Sequence, residues 1–304
     1  MKFLNVLVLV LTALSLNSCK EADKTANRDT PTKGKIHIAV DETYKTMVDS
    51  EITVFKSEYK DVEITVDYVP EAYAVQQLLT DSARAIVIGR ELNEKELSKY
   101  KARKYDPKSI RIATDAIAVI ANPKNKTDVL DLVQLKDILS GKLTTWPDGK
   151  NIEVVIDNPG SGIINFLQDS VLKGTPIAKT IFALKNQQEV LEYVGSHEKS
   201  IGFIGVNLIS SFDADANQQF PATIKPLGIS KGAFDKAYKP YQAYVASRNY
   251  PLLRFTTLIV DEAYNGLGSG FATFVGSDKG QRIILKDGLV PANSPIRLIE
   301  VNTN

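Results

Sequence analysis

A turn of glycine and small polar residues at 157–162 carries the clearest binding signal in this sequence. It has the sequence Asp-Asn-Pro-Gly-Ser-Gly and lies between a predicted strand and a predicted helix. A helix start presents free backbone N–H groups and the positive end of the helix dipole, and Gly160 and Gly162 would let an anion approach closely. Ser161 has two open roles, because its hydroxyl can donate to the anion or cap the helix. The predicted anion-binding residues of this turn are Asp157, Asn158, Gly160, Ser161, Gly162 and Ile163.

Two further polar corners follow predicted strands in the first half of the chain. Their residues are Asp41, Glu42, Thr43, Tyr44, Gly89 and Arg90. The guanidinium of Arg90 can bind two oxygens of an oxyanion at once, or Arg90 can be an ordinary surface arginine. Glu42, Glu71 and Asp157 bring carboxylates to the same region, which would suit a cationic or zwitterionic ligand instead.

The residue clusters that catalysis or metal binding would need are missing from the sequence. The two histidines, His37 and His197, have no cysteine or histidine at ligand spacing, so a zinc site is not expected. The segment 140–144 lacks the first glycine of a Walker loop, and no strand leads directly into the glycine-rich segment 266–270. A secreted hydrolase would need a nucleophile, a base and an acid that these residues do not supply. We therefore expect neither an enzyme nor a cofactor.

Alternating strands and amphipathic helices must position the three corners. The strands of the first series are predicted at 36–40, 62–69 and 85–88, and its helices at about 48–59 and 75–79. The second series has strands at 116–120, 152–156 and 201–204, and helices at 129–139, 162–172 and 189–194. Beyond it we predict a polar loop at 212–220, a strand at 243–246, a helix at 268–285 and a strand at 296–301. This order favours an α/β fold with mainly parallel sheets covered by helices.

Two successive α/β units predict two lobes, with the C-terminal segment returning to the first. We assign residues 36–114 and 245–304 to lobe 1 and residues 115–244 to lobe 2. Open α/β sheets bind ligands beyond the carboxyl ends of their strands. The three corners are therefore expected to face a cleft between the lobes.

The N-terminus has the features of an export signal followed by a lipidation site. Lys2 precedes a largely apolar run, Phe3–Leu16, which is short for a membrane-spanning helix. The next residues lead to Cys19, the only cysteine of the chain, and resemble the lipobox of bacterial lipoproteins. We expect residues 1–18 to be a signal peptide, Cys19 to carry the lipid, and residues 19–35 to form a flexible tether. The mature protein would be held to a membrane by the lipid alone and face the periplasm or the cell surface.

The order and spacing of six motifs resemble the phosphate-binding receptors of ABC transporters, in the type II periplasmic-binding-protein superfamily. The motifs lie at 89–96, 115–122, 135–146, 160–162, 200–205 and 280–291. The resemblance covers nearly the whole mature chain. It implies a two-lobed fold that closes around a small oxyanion, an ABC permease as partner and no catalysis. Asp115, which begins the second motif, is among the ligand-binding candidates.

Three departures from the family pattern bear on the ligand. Asp41 and Glu42 stand where the family has a Gly-Ser-rich corner, Asp157 stands at its usual arginine, and Ile163 stands at its usual threonine. A lost charged hydrogen bond costs about 1.5 to 3 kcal/mol. One carboxylate could still accept the proton of monohydrogen phosphate and so reject sulfate.

The expected function is that of a monomeric, lipid-anchored solute-binding protein that binds inorganic phosphate for ABC-type uptake. The alternative is an envelope accessory protein that keeps the fold and binds another small ligand or none. A nucleic-acid partner is not expected, because the 37 basic residues are balanced by 36 acidic residues and the chain has no large positive charge to attract a polyanion.

Overall fold

The computed structural model describes residues 28–101, 103, 105–212 and 218–293. Its strands are β1 (Gly34–Asp41), β2 (Val62–Val69), β3 (Ala85–Ile88), β4 (Lys108–Ala121), β5 (Val129–Asp131), β6 (Glu153–Ile156), β7 (Phe182–Ala183), β8 (Ser200–Gly205), β9 (Ser211–Phe212), β10 (Gln218–Gln219), β11 (Lys225–Pro226), β12 (Gly228–Ser230), β13 (Leu253–Val260) and β14 (Val290–Pro291). Its helices are α1 (Lys45–Glu58), α2 (Glu71–Leu79), α3 (Glu94–Ser98), α4 (Leu132–Leu139), α5 (Gly162–Phe166), α6 (Gln187–Ser196), α7 (Gln242–Ala246), α8 (Leu267–Val275) and α9 (Asp278–Lys286), with 3-10 turns at Glu42–Tyr44 and Val206–Leu208 and a π-helical turn at Leu167–Leu172.

One continuous mixed sheet joins the two lobes. Its strand order is β2-β1-β3-β13-β4-β8-β6-β7, with parallel pairs towards both ends and antiparallel pairs at the centre. The long strand β4 pairs with β13 up to Ala116 and with β8 from Ile117 onward. The chain thus has the two-lobed α/β architecture that the sequence predicts, although the strands that connect the lobes are antiparallel. The residue limits of the two lobes remain a prediction.

The apolar patterns explain why the outer elements form where they do. Ile36, Ile38 and Val40 of β1 are buried, as the core-facing side of an inner strand requires. In α1, the apolar residues Val48, Ile52 and Phe55 are buried at intervals of four and three residues. These strands and helices bring the carboxyl ends of β1, β3 and β6 to the cleft between the lobes.

Several elements of the second half differ from the sequence prediction. The predicted strand 243–246 is the helix α7, which buries only Val245 among its five residues. The predicted helix 129–139 begins as strand β5, because Asp131 forms a capping box with Gln134 and starts α4 there. The predicted helix 268–285 is two helices, since Ser277 caps the start of α9. The predicted strand 296–301 lies outside the described residues.

The predicted tether is anchored to the body near its end. The Asp29 carboxylate pairs with Arg84 at 2.9 Å, accepts from the backbone N–H of Leu267 at 2.7 Å, and accepts from the Tyr264 hydroxyl. Although burial acts in the opposite direction, these hydrogen bonds lower the pKa of Asp29 to about 2. Residues Gly34 and Lys35 already belong to β1, so a flexible tether cannot extend to residue 35.

The predicted signal peptide and Cys19 lie outside the described residues. Across the ranges that the structure does describe, none of the helices has the length and apolar character needed to cross a bilayer.

Candidate functional site

Arg254 lies at the centre of the cleft, between two glycines that belong to different lobes. A Cβ atom on Gly89, after β3, would lie 3.0 Å from its Nη1 atom, and one on Gly162, at the start of α5, would lie 3.2 Å from the same atom. A Cβ on Gly162 would also lie 2.6 Å from Oδ2 of Asp41, closer than packed atoms allow. A side chain at Gly89 or Gly162 would displace these groups, so the two glycines allow the lobes to approach closely here.

A buried carboxylate fixes the orientation of Arg254. Asp115 accepts from its Nε at 2.6 Å, from the hydroxyl of Tyr44 at 3.1 Å and from the backbone N–H of Ala116 at 2.6 Å. The Arg254 side chain is about 2 % exposed and its guanidinium lies 5.3 Å from the centre of the Tyr44 ring. Asp115 and Tyr44 were predicted as ligand-binding residues, and the structure places both behind the arginine.

Two aspartates, one from each lobe, lie close enough to Arg254 for its charge to lower their pKa values, against the larger effect of burial. Asp41 ends β1, and its Oδ1 accepts from the backbone N–H of Thr43 at 3.0 Å and from the Thr43 hydroxyl at 2.7 Å. Asp157 follows β6, and its Oδ1 accepts from the hydroxyl of Ser161 at 2.6 Å. Burial raises the pKa of both carboxyls, that of Asp157 to about 7.

The cleft contains buried polar atoms for which the described residues provide no hydrogen-bond partner. They include Nη1 and Nη2 of Arg254, Oδ2 of Asp41, Oδ2 of Asp157 and Oε1 of Glu42. We call these five atoms the open atoms. Arg254, Asp41 and Asp157 influence one another electrostatically, and Glu42 influences Asp157, so the atoms form one group. A buried polar group without a partner costs about 1 to 3 kcal/mol, so such a group points to a ligand that completes it.

The structure assigns Ser161 the helix-capping role among its two predicted roles. Its hydroxyl oxygen accepts from the backbone N–H of Ile164 at 3.3 Å, while its proton goes to Asp157. The backbone N–H groups of Gly162 and Ile163 lie in the first turn of α5, where the helix itself provides no carbonyl to accept from them. They are the backbone donors of this corner. The Ile163 side chain is buried in the main hydrophobic core.

The guanidinium fork of Arg90 is occupied by protein carboxylates and is not presented to the cleft for binding an oxyanion. Its Nη1 and Nη2 donate to the two carboxylate oxygens of Glu96 at 2.8 and 2.9 Å, and its Nε donates to Glu71 at 2.8 Å. The prediction that Arg90 binds the ligand with this fork is therefore wrong in the described conformation. Arg90 instead neutralises Glu71, which also accepts from the backbone N–H of Gly89 at 3.2 Å.

Hydrogen bonds on both sides of the cleft join the two lobes. Thr43 is bonded through its hydroxyl to Gln187 at 2.6 Å and through its carbonyl to Asn207 at 2.7 Å. On the other side of the cleft, Asn165 donates to Glu71 at 2.9 Å, and the backbone N–H of Ala72 donates to the carbonyl of Gly160 at 3.1 Å. The Asn158 side chain accepts from the N–H of Gly160 at 2.9 Å and shapes this turn.

The glycine-rich segment 266–270 is an anion site that the protein itself fills. The Glu262 carboxylate accepts from the backbone N–H groups of Gly266, Gly268 and Ser269 at 3.2, 2.9 and 2.9 Å. Because Glu262 occupies these N–H groups, they are not available to an external phosphate. Among the described residues, no group of three or more histidine, cysteine or acidic side chains could hold a metal ion.

Sequence reasoning missed Arg254 because it missed strand β13. The segment Leu252–Val260 is apolar except for this arginine and two threonines, and a single charge inside an apolar run is rarely buried without a role. That signal could have identified the residue. Strand β13 thus places a guanidinium in the cleft, although position 157 carries an aspartate.

Comparisons with known proteins agree with this architecture. A family model described as a PBP superfamily domain matches residues 25–279. The phosphate-binding protein PstS of Staphylococcus aureus is 26% identical over 234 residues, which cover 74% of this chain and 68% of that protein. A putative phosphate ABC transporter substrate-binding protein of Clostridium perfringens, solved with bound phosphate, has a TM-score of 0.72 at 22% identity and covers 86% of this chain and 100% of its own. An ABC-type phosphate transport receptor of Vibrio cholerae has a TM-score of 0.67 at 18% identity, over 85% and 100% of the two chains. The chain belongs to the PBP superfamily, that of the periplasmic binding proteins.

Proposed function

We propose that this protein is an extracytoplasmic solute-binding protein that binds inorganic phosphate and delivers it to an ABC permease. The observation that carries the proposal is the pair of open guanidinium nitrogens of Arg254, buried where the two lobes meet. A guanidinium fork matches two oxygens of a phosphate group. The names of the similar proteins, which are phosphate-binding proteins of transporters, support the same ligand.

The lobes and the anchor complete the proposal. Lobe 1 comprises residues 36–114 and 245–304, and lobe 2 comprises residues 115–244. Residues 1–18 direct export, and a lipid on Cys19 holds the monomeric body to the membrane. The protein performs no catalysis, since capture and release of phosphate require only opening and closing of the cleft.

Calorimetric titration of the purified protein with orthophosphate tests this function. We expect saturable binding of one phosphate per chain and no binding of sulfate at the same concentration. Ligand at 100 times its Kd should stabilise the fold by about 2.7 kcal/mol. Absence of both heat and thermal stabilisation at millimolar phosphate would refute the phosphate function. It would leave the alternative of an envelope accessory protein with another ligand or none.

A further inference from the structure

We infer that the phosphate species bound in the cleft is the dihydrogen monoanion, held by Arg254 on two oxygens and by Asp41 and Asp157 on two hydroxyl groups. This inference rests on the proposed phosphate function. It specifies the ionic form of the ligand and the number of protons that accompany it.

The two aspartates are arranged in the same way on opposite sides of the cleft. Each lies at the carboxyl end of a strand, and each has its Oδ1 occupied by a hydroxyl, from Thr43 in lobe 1 and from Ser161 in lobe 2. Each therefore presents its Oδ2, an open atom, as a hydrogen-bond acceptor. Arg254 presents two open donors, and its Nη1 lies near the same point at Gly162 as Oδ2 of Asp41. A ligand that completes this set needs an anionic edge with two acceptors and two hydroxyl donors.

Dihydrogen phosphate has this set of groups. Its two unprotonated oxygens share one negative charge and match Nη1 and Nη2 of Arg254, and its two P–OH groups can donate to the aspartates. The phosphate dianion has a single P–OH group, so one aspartate would face an unprotonated oxygen. Sulfate has no hydroxyl near neutral pH, so both aspartates would face oxygens. Buried acceptors that face each other without a proton are strongly unfavourable.

The charged groups around the cleft favour a ligand of low negative charge. The carboxyl groups come from the corner after β1 (Asp41 and Glu42), from α2 (Glu71), from β4 (Asp115) and from the turn after β6 (Asp157). Two guanidinium groups oppose them. Arg254 is paired with Asp115, and Arg90 is paired with Glu71 and Glu96. Arg254 balances Asp115, and Arg90 balances only one of Glu71 and Glu96. One of those two carboxylates therefore remains together with Asp41, Glu42 and Asp157, and this excess negative charge resists a dianion unless a proton enters with it.

The raised pKa values of the aspartates agree with this proton count. Burial raises the pKa of Asp157 to about 7, and repulsion from Asp41 and Glu42 acts in the same direction. The inferred complex contains one proton more than the ionised site and the phosphate dianion contain separately.

Proton uptake during binding tests the inference directly. The full-length protein is titrated with orthophosphate near pH 8 in buffers of different ionisation enthalpy, and the dependence of the observed heat on the buffer gives the number of protons taken up. We expect uptake of about one proton per phosphate near pH 8, where free phosphate is mainly the dianion and Asp157 is mainly ionised, and net release of a proton near pH 6, where free phosphate is mainly the monoanion and the free Asp157 carboxyl is mainly protonated. Between pH 7 and pH 8, Kd for total phosphate should rise by up to about tenfold.

The Asp157→Asn variant separates the role of this acid from a general effect of pH. Asparagine keeps the acceptor for the Ser161 hydroxyl and offers an N–H to the ligand, so the variant should bind the dianion with little proton uptake. Asp235→Asn, on an exposed loop, is the matched control and should behave as the parent. Phosphate binding without proton uptake at pH 8, or unchanged uptake in Asp157→Asn, would overturn the inference and leave the phosphate function standing. Lack of any phosphate binding would overturn both.

Discussion

Asp115 accepts a 2.6 Å hydrogen bond from Nε of Arg254, and both side chains are buried. Nε is the nitrogen nearest the chain, so this bond sets the plane of the guanidinium and turns its two terminal nitrogens towards the cleft. Asp115 lies where β4 passes from one lobe to the other, and Arg254 lies opposite it on β13. The binding group is therefore built into the strands that join the lobes.

Replacement of Arg254 by lysine should weaken phosphate binding. Lysine keeps the positive charge, but one ammonium group cannot pair with Asp115 and also present two donors to the ligand. We expect a loss of about 1.5 to 3 kcal/mol, or roughly 10- to 100-fold in Kd, measured by calorimetry. Arg282→Lys changes an exposed arginine and is the control. An unchanged Kd in a folded Arg254→Lys protein would contradict the assignment.

Replacement of Ile163 by threonine restores the residue that the family usually has but should not improve binding. The Ile163 side chain is buried in the core, so a threonine hydroxyl there would lie among apolar side chains. We expect a loss of stability of about 1 to 3 kcal/mol with an unchanged Kd, from denaturant unfolding and calorimetry.

Ile163→Val, which keeps an apolar side chain, should cost only about 0.5 to 1.5 kcal/mol. Tighter phosphate binding in Ile163→Thr would show that this side chain can reach the cleft.

Loss of the hydrogen bond between Asn165 and Glu71 should favour the open protein. Asn165 is one of the residues of lobe 2 that bond lobe 1 directly, at 2.9 Å. In Asn165→Ala we expect a larger radius of gyration without ligand by X-ray scattering, and a Kd for phosphate up to about tenfold higher. Asn249→Ala, which changes an exposed residue outside the cleft, serves for comparison. Identical scattering from both variants would mean that this bond does not contribute to closure.

The elements predicted correctly from the sequence are those whose apolar pattern lies within one short segment of the chain. Strands β1, β2 and β3 follow directly from their apolar runs, and the corners at Asp41, Gly89 and Gly162 were recognised because a strand, a turn and a helix succeed one another along the chain. The corners at Asp41 and Asp157 contribute open atoms to the cleft.

The predictions that failed depended on partners distant in sequence. Arg90 was considered as an oxyanion ligand because nothing in its own segment showed that Glu71 would reach it, although Glu96 is close. Arg254 was missed because its strand, β13, pairs with β3 and β4, which lie far earlier in the chain. The segment 243–246 has a strand-like composition, but as α7 it is held by Gln242, whose side chain donates to the carbonyls of Leu285 and Leu289 at 3.0 and 2.7 Å.

Stability should depend on pH through Glu51, a fully buried residue of α1. Burial, together with repulsion from Asp287, raises the pKa of Glu51 from 4.5 to about 9. Folding therefore favours the protonated form of Glu51. The stability that this proton contributes is fully present below about pH 4.5 and is lost as the pH rises to about 9. The free energy of unfolding should fall by at most about 1.4 kcal/mol per pH unit in this range.

The Glu51→Gln variant removes this dependence. The free energy of unfolding of Glu51→Gln, measured in denaturant and compared with that of the parent, should increase steadily between pH 5 and pH 9. Glu94→Gln changes an exposed glutamate and should show no such trend. A constant difference between Glu51→Gln and the parent across this range would show that Glu51 titrates normally.

The attachment of Asp29 to the folded body limits the distance between that body and the proposed lipid anchor. Asp29 is held by Arg84 and by the start of α8, and ten residue steps separate it from Cys19. Ten residues span at most about 35 Å. Under the proposed lipidation, the body would sample only a thin layer next to the bilayer. Its effective concentration at a permease in the same membrane would then be set by lateral encounter and not by free diffusion through the surrounding space.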